Sequence, residues 1–340
     1  MKVPQLKKKT ELKSCHNTNW EDDYSWVHQP NILEVLKDSS KLDPEVRKYL
    51  EEENNYTEHH LKDTKGIQKT LFDEIKGRIK LDDESIPFKD RNYEYWTKTT
   101  TKGNYSIKLR KKIGTDLIEE YWNGDEEKKK LNTEYFGVGD IEVSYNDKIL
   151  GYSLDLKGSE YYTIYLRDIE TNKIISEKIE DTAGGITFSL DDKFIFYSKL
   201  DENHRPKKIF RHEIGKSIKD DLLIFEEKSS AFTVGIGISA DEKYYFINSS
   251  DHNTSEKYYF KTNEKLPKPK LVRKREKGII YSVSSWGDYF YIHTNKDAED
   301  FKIERSKSLE SNEWEVFIPS KDESMIGGLT FLNNLSLIHI

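Results

Sequence analysis

The stretch Ser189-Leu190-Asp191-Asp192-Lys193, which precedes the apolar run Phe194–Ser198, decides the fold because its pattern recurs along the chain. Each copy consists of a serine, an acidic tight turn and a run of aromatic and β-branched residues that is typical of a strand. The acidic turns of successive clear copies lie 45, 50 and 46 residues apart. The clear copies are Ser144–Lys148, Ser189–Lys193, Ser239–Lys243 and Ser284–Asp288, and the fainter ones are Lys89–Asn92 and Phe331–Leu335.

A repeat of this length predicts a β-propeller. A unit of about 45 residues with several short strands is the size of one four-stranded blade, and such a small sheet buries both faces only by stacking on its neighbours. A β-sandwich, the alternative, gives no reason for a constant repeat length. Residues 81–340 are therefore predicted to form a partial propeller of about five to six blades. Because the sequence stops within the strand-like run Leu335–Ile340, we expect a truncated product.

Residues 1–80 are predicted to form a helical segment. Asp43-Pro44-Glu45 indicates a helix start, with a capping carboxylate followed by proline in the first turn. A second helix is expected from Thr64 to between Gly77 and Lys80, because Ile67, Leu71, Ile75 and Ile79 are spaced four residues apart. After Ile86-Pro87 the apolar period changes to two, and we expect no further helix in a region that is otherwise all β.

Composition excludes several classes of protein. The chain has 55 basic and 62 acidic residues, a net charge of -7, which argues against a nucleic-acid binder. Charged residues make up 34%, but 15 Phe, 21 Tyr and 6 Trp supply the buried area that a disordered chain lacks. A single cysteine, Cys15, excludes an internal disulfide, and neither a secretory leader nor a membrane span is visible. We expect a soluble cytoplasmic protein without membrane or nucleic-acid partners.

No residue of the chain is predicted to be catalytic, to bind a cofactor or to ligate a metal. Ser153 in Gly151–Asp155 lacks the second glycine of the Gly-x-Ser-x-Gly turn, and its place in a repeated strand favours a structural role. Gly215-Lys216-Ser217 lacks the first glycine of a phosphate loop. His212-Glu213 lacks the second histidine of a zinc-protease helix, so we expect a surface or loop histidine there. Gly235-Ile236-Gly237 is interpreted as a closely packed inner strand rather than a dinucleotide site.

Several longer stretches carry a family resemblance. They are Asp22–Trp26 with Leu42–Asn54, Leu71–Lys80 with Asp82, Asp83 and Pro87, and the strand regions Tyr161–Arg167, Asp181–Phe188 and Ala231–Ser239. Together they resemble the N-terminal half of the prolyl oligopeptidase family, in its oligopeptidase B (protease II) branch. The resemblance extends from about residue 20 to about residue 335.

The resemblance implies a cytoplasmic serine peptidase in which a seven-bladed propeller caps an α/β-hydrolase domain and admits only short peptides. It also implies cleavage after Lys or Arg, as in that branch. Residues 1–80 would pack on the hydrolase domain, and the segment Arg78–Asp83 would be the hinge into the propeller. The family's catalytic Ser, Asp and His lie in a second half that this sequence does not contain, so the α/β-hydrolase domain is expected to be absent.

The leading hypothesis is therefore the N-terminal and propeller part of a serine oligopeptidase, inactive alone, whose complete enzyme takes short basic peptides. A split enzyme, in which a separately encoded chain supplies the hydrolase half, is a variant of it. The alternative is a stand-alone propeller that binds or scaffolds without catalysis, and closure of the blades would favour it.

Overall fold

The computed structural model describes residues 1–311, 313–332 and 335–339, the last five by their backbone. Spatial contacts divide the chain into two units, Met1–Thr133 and Glu134–Ile340. Antiparallel strands dominate, which confirms the predicted mainly β class, and the described residues contain no hydrolase domain. No helix in those ranges is both long enough and apolar enough to cross a lipid bilayer.

The N-terminal part of the first unit contains both predicted helices. Its elements are β1 (Glu11–Cys15), β2 (Thr18–Asp22), α1 (Ile32–Lys37), α2 (Pro44–Leu61) and α3 (Lys65–Gly77), with single 3-10 turns at Ser25–Val27, Ser39–Lys41 and Lys62–Thr64. The Asp43 carboxylate caps α2 by accepting the backbone N–H groups of Glu45 at 2.8 Å and Val46 at 3.1 Å. The predicted helix start is thus confirmed, and its energetic origin is the pairing of two N–H groups that the helix itself leaves unbonded.

The apolar face of α3 lies open to solvent. Ile67, Leu71 and Ile75 are 61%, 50% and 61% exposed, although their spacing is that of a helix that packs against something. Helices normally bury such a stripe, since leaving three large aliphatic side chains in water forgoes their hydrophobic stabilisation. The face therefore has the character of an interface rather than of a free surface.

A hairpin at the N-terminus was not expected from the sequence. β1 and β2 pair in register from Glu11 opposite Asp22 to Cys15 opposite Thr18, leaving a two-residue loop. His16 and Asn17 both adopt positive φ, 49° and 63°. Two consecutive left-handed residues make a turn whose twist matches that of paired strands, and Asn tolerates this conformation better than most residues.

The first unit also contains the first propeller-like sheet, which is followed by an unexpected helix. The strands are β3 (Asp83–Glu84), β4 (Phe88–Asp90), β5 (Tyr93–Thr99), β6 (Ile107–Lys112) and β7 (Ile118–Asn123), and the helix is α4 (Gly124–Leu131). The prediction of no helix after Pro87 is therefore wrong. The Asn123 side chain caps α4 by accepting the N–H of Glu126, while acidic residues occupy its first turn and lysines its last. These terminal interactions stabilise a helix without any apolar period.

The second unit consists of further propeller-like sheets. The second blade contains β8 (Gly137–Val143), β9 (Ile149–Asp155), β10 (Tyr162–Asp168) and β11 (Ile179–Thr182). The third blade contains β12 (Thr187–Phe188), β13 (Phe194–Leu200), β14 (Pro206–Glu213) and β15 (Leu222–Glu226). The fourth blade contains β16 (Thr233–Ile238), β17 (Tyr244–Ser250), β18 (Ser255–Lys261) and β19 (Lys270–Arg273). The fifth blade contains β20 (Tyr281–Trp286), β21 (Tyr289–Thr294), β22 (Lys302–Ser306) and β23 (Glu315–Ile318). β24 (Gly328–Leu332) pairs with β25 (Leu335–His339), and the single bridge between Thr182 and Lys199 joins the second and third blades.

The hydrophobic cores lie between neighbouring blades. One is formed by Ile164, Leu166, Ile179, Ile186, Phe188, Ile195 and Tyr197 of the second and third blades, and the next by Phe196, Ile209, Ile224, Val234, Tyr245, Ile247 and Phe260 of the third and fourth. Phe196 and Tyr197 are adjacent in β13 yet belong to different cores, because successive side chains of a strand point to opposite faces. The third blade is thus buried on both faces, which is the stacking that the repeat predicts.

Candidate functional site

The repeated serine turns are built alike. In the third blade, Ser189 Oγ donates to Asp191 Oδ1 at 2.8 Å and accepts the N–H of Phe194 at 2.9 Å. The residue after Asp191 donates its N–H to the Ser189 carbonyl at 2.9 Å. Turns 144–149 and 239–244 contain the same three contacts. The predicted role of these serines, to hold the local backbone of a tight turn, is confirmed.

The outer copies of the repeat differ from these turns. In Ser284–Asp288, strand β20 continues through Trp286, which pairs with Tyr289, so that two residues form the loop. Lys89–Asn92 likewise forms a two-residue loop, with Asp90 opposite Tyr93. Of the copy at Phe331–Leu335, residues 333 and 334 lie outside the described part of the chain.

The turns also connect one blade to the next. The Asp192 carboxylate of the third blade accepts the backbone N–H of Tyr145 at 2.6 Å and of Asn146 at 2.7 Å, both in the second blade. Ser285 Oγ of the fifth blade donates to Asp241 Oδ2 of the fourth at 2.8 Å. We call residues 144–147, 189–192, 239–242 and 284–287 the turn edge. These hydrogen bonds along the turn edge hold the second blade against the third and the fourth against the fifth.

Ser153 is not placed for catalysis. It lies in the middle of β9, is fully buried, and its Oγ has no hydrogen-bond partner. Its neighbours are so close that a Cβ added at Gly139 would lie 2.6 Å from Ser153 Oγ and 2.7 Å from Tyr162 Cδ1. A nucleophile needs a base beside it and space for a substrate, and Ser153 has neither. Its structural interpretation is therefore favoured by the geometry.

A second serine, which the sequence analysis did not single out, belongs to a buried hydrogen-bond chain. Ser176 Oγ lies 2.7 Å from His212 Nε2, and His212 Nδ1 lies 2.7 Å from Asp221 Oδ1. Because an ionised carboxylate only accepts, Nδ1 donates to Asp221, and Nε2 faces the Ser176 hydroxyl. The Tyr197 hydroxyl donates to Asp221 Oδ2 at 2.7 Å, and burial together with this bond raises the pKa of Tyr197. The order serine, histidine, aspartate is that of a catalytic triad.

The hydrogen-bonded cluster of Ser176, His212 and Asp221 nevertheless has a structural role, as a clamp between loops. The His212 ring is completely buried in β14, so the prediction of a surface or loop histidine is wrong. Ser176 Oγ also accepts the N–H of Gly215 at 3.2 Å, so its lone pairs are directed at the protein rather than at a substrate. The cluster joins the loop before β11, strand β14 and the turn after Ser217. These segments lie far apart in the sequence, so the sequence pattern could not predict their contact. Glu177 adds to this contact by accepting the N–H of Ile218 at 3.1 Å.

The other glycine motifs have structural roles as well. Gly215 adopts φ +81°, which ends β14 in a turn and brings its N–H to the serine described above. Gly235 and Gly237 lie in β16, as expected of a strand. A Cβ at either position would meet nothing within 4 Å, so close packing is not the reason for these two glycines, contrary to the interpretation from sequence.

An ionic cluster links the third and fourth blades near the ends opposite the turn edge. The Arg275 guanidinium donates to Glu227 Oε2 at 2.6 Å and to Glu256 Oε2 at 2.6 Å, and it covers the Phe232 ring at 4.0 Å. Both carboxylates are buried. Burial opposes the charge of Glu227, but the hydrogen bonds from Arg275 and Ser249 prevail and hold the pKa of Glu227 below its usual value. In the described ranges, no group of three or more His, Cys, Asp or Glu side chains is arranged to hold a metal ion.

The chain matches a known protein family and is similar to several known peptidases. Residues 4–339 match the family described as "Prolyl oligopeptidase, N-terminal beta-propeller domain". "Dipeptidyl aminopeptidase BI" of Pseudoxanthomonas mexicana is 27% identical, over 98% of this chain and 48% of that protein. "Protease 2" of Moraxella lacunata is 29% identical, over 90% of this chain and 44% of that protein.

The fold agrees with that of a solved peptidase. Oligopeptidase B from Trypanosoma brucei, with antipain covalently bound, superimposes with a TM-score of 0.86 at 23% identity, over 99% of this chain and 49% of that one. The chain spans about half the length of the relatives it matches. Because the family match covers nearly all of its residues, the chain belongs to the prolyl oligopeptidase family, of which it contains the N-terminal β-propeller region.

Proposed function

We propose that this chain is the N-terminal helical and propeller part of a cytoplasmic serine oligopeptidase that hydrolyses short peptides after Lys or Arg. The observation that carries the proposal is the family match over residues 4–339, with the helices included. The likeness to oligopeptidase B and the similarity to Protease 2 support the basic-residue branch. The propeller acts as a filter, and its partners are short basic peptides.

The exposed apolar face of α3 supports the proposal that a hydrolase domain packs against this part of the protein. Ile67, Leu71, Phe72 and Ile75 line a helix side for which the described residues provide no cover. In the proposal, residues 1–80 pack this face against the α/β-hydrolase domain, either in the same polypeptide or in a separately encoded chain. Burying four such side chains would contribute several kcal/mol, at roughly 25 cal/mol per Å² of apolar area.

The chain alone is inactive in this proposal. Acyl transfer needs a projecting nucleophile, an aligned base and an oxyanion hole. Ser153 has no base, and Ser176 is bound from two sides within a buried cluster. The propeller's contribution is instead steric. Blades fixed to each other by hydrogen bonds along the turn edge form a stiff wall, which excludes folded proteins from a catalytic centre behind it.

The experiment that tests the proposal begins with the gene. Reading beyond codon 340, and sequencing proteins that co-purify with this chain, should reveal a hydrolase segment with Gly-x-Ser-x-Gly. The complete enzyme is then given four reporters, with the scissile bond after Arg, after Lys, after Pro, or after a free N-terminal dipeptide. We expect the first two to be cleaved and a folded protein to be spared.

Other cleavage results would correct different parts of the proposed function. Cleavage after Pro would favour the prolyl endopeptidase branch, and release of N-terminal dipeptides the activity for which the Pseudoxanthomonas relative is named. Absence of a hydrolase segment, both in the reading frame and among bound proteins, would overturn the peptidase proposal altogether.

A further inference from the structure

A cleft opens between the third and fourth blades at the turn edge. Its volume is about 570 Å³, within the range of roughly 300–1,000 Å³ that is usual for small-molecule sites. Three buried rings of the core between these blades lie beneath it, with centroids 4.8 Å apart for Phe196 and Tyr245, 5.1 Å for Tyr245 and Phe260, and 5.7 Å for Phe196 and Phe260. Phe194 lines one wall. The shape and the lining suit a flat apolar group.

The wall of the cleft contains a guanidinium without an acidic partner. Arg211 covers the Phe194 ring at 4.2 Å and donates one N–H to the carbonyl of Lys265 at 2.7 Å. Among the described residues, no carboxylate oxygen comes within 4.0 Å of the Arg211 guanidinium; desolvation lowers the pKa of Arg211, and the more distant charges of Glu213 and Asp191 only partly oppose this. Arginines that are partly removed from water are usually paired, because a guanidinium has five N–H donors to satisfy. The remaining donors of Arg211 are available to an anion.

The acidic groups of the cleft are already engaged. Asp191 lies 3.3 Å from the Lys193 ammonium and accepts the Ser189 hydroxyl, and Glu264 accepts the N–H of Lys261 at 3.0 Å. The exposed ammonium of Lys265 remains at the rim. Three cations, Lys193, Arg211 and Lys265, and two carboxylates, Asp191 and Glu264, line the cleft, so its formal charge is positive by one although the whole chain is acidic.

We propose that this cleft binds a small molecule with one aromatic ring and one carboxylate, the ring against the half-buried Phe194 and the carboxylate on Arg211. Guanidinium and carboxylate form paired, charge-assisted hydrogen bonds, and desolvation strengthens them. Aromatic rings gain from stacking beyond their buried area. The site is independent of the proposed peptidase activity, since it lies within two blades and needs no second domain.

The test uses the complete 340-residue chain and 4-fluorophenylacetate, observed by ¹⁹F NMR. We expect saturable broadening and a shift of the probe resonance. 4-Fluorobenzyl alcohol keeps the ring but loses the carboxylate, and acetate keeps the carboxylate but loses the ring. Neither should compete at concentrations at which phenylacetate does. Equal binding of the alcohol, or displacement by acetate, would contradict the assignment of two recognised groups.

Variants identify the groups. Arg211→Met should weaken binding by at least about tenfold, the ratio that corresponds to loss of a charge-assisted hydrogen bond. Lys265→Glu, at an exposed position, should weaken binding several-fold by reversing the rim charge. Arg305→Met is the matched control, because Arg305 also covers an aromatic ring, that of Phe317, but is paired with Glu315 at 2.5 Å in another blade.

Two results would overturn the proposal. One is absence of saturable binding by the folded chain up to the solubility of the probe. The other is binding that Lys265→Glu leaves unchanged, which shows that the anion sits elsewhere even if Arg211→Met fails to fold.

Discussion

The carboxylate of Asp192 in the third blade accepts the backbone N–H of Tyr145 in the second, at 2.6 Å. A further N–H, that of Asn146, binds the other oxygen at 2.7 Å. One side chain therefore satisfies two donors of a neighbouring turn. The acidic turn of the third blade thus has two functions, since it reverses its own chain direction and also holds the preceding sheet.

Asp192→Ala should lower the free energy of unfolding by about 1–3 kcal/mol, because two N–H groups lose a charged acceptor. Urea unfolding followed by circular dichroism measures it. Glu242→Ala is the matched control, since Glu242 occupies the same turn position with φ 57° against 56° for Asp192, and its side chain is exposed. Equal losses in the two variants would show that turn conformation, and not the contact between blades, determines the cost.

Glu227→Gln should make the free energy of unfolding less dependent on pH in the acidic range. Burial opposes ionisation of Glu227, but hydrogen bonds from Arg275 and Ser249 hold its pKa below the usual 4.5 in the folded chain. A lowered folded pKa means that the ionised group stabilises the fold above the unfolded pKa, and that this stabilisation is lost as pH falls through the folded pKa. At pH 7 the variant should be about 1–3 kcal/mol less stable.

The pH series supplies the check on this prediction. Unfolding free energies of the wild type and Glu227→Gln should converge as pH falls below 4.5. Glu310→Gln, which removes an exposed pair with Lys270, should behave as the wild type at every pH, because exposed ion pairs contribute little. A gap between Glu227→Gln and the wild type that is as large in acid as at neutral pH would refute the charge-based account.

His212→Ala should be among the most destabilising single changes in the third blade. It leaves the buried Asp221 carboxylate with one fewer donor and opens a cavity in β14, at a cost of about 2–4 kcal/mol. Ser176→Ala removes two hydrogen bonds at a half-buried position, with His212 and with the N–H of Gly215, and should cost about 1–2 kcal/mol. Urea denaturation compares them. A stable His212→Ala protein would show that the cluster is no clamp and would reopen the question of its chemistry.

Ser153→Ala should leave stability unchanged or raise it slightly, because it removes a buried hydroxyl without a partner. The neighbouring Gly139→Ala should cost about 1–3 kcal/mol, since the new methyl group would overlap Ser153 and Tyr162. Gly235→Ala, where a Cβ meets nothing within 4 Å, is the matched control and should be close to neutral. Thermal melting ranks the three. A destabilised Ser153→Ala would mean that the hydroxyl has a partner after all.

Much of the fold could be predicted from local chemistry. The capping of α2 by Asp43 and the serine turns at Ser189 and Ser239 are set by residues a few positions apart, so their patterns in the sequence are sufficient. The repeat then implies stacked sheets, because each strand places alternate side chains in two cores.

The elements that could not be predicted depend on other information. Helix α4 is stabilised by its Asn123 cap and by its charge order, and so it lacks the apolar period by which helices are recognised. The contact of Ser176 with His212 joins residues 36 positions apart across two blades. Similarly, the cleft at Arg211 depends on Lys265 of the next blade. No spacing rule brings such pairs together before the packing of the blades is known.

We expect that the described residues of this chain supply a propeller and no catalytic centre. The most direct measurement treats the purified chain with a fluorophosphonate probe and, in parallel, with an arginine-containing fluorogenic peptide. We expect no labelled serine and no release of fluorophore above the buffer rate. Labelling of Ser153 or Ser176, together with hydrolysis that the probe abolishes, would show that the chain has a catalytic serine of its own.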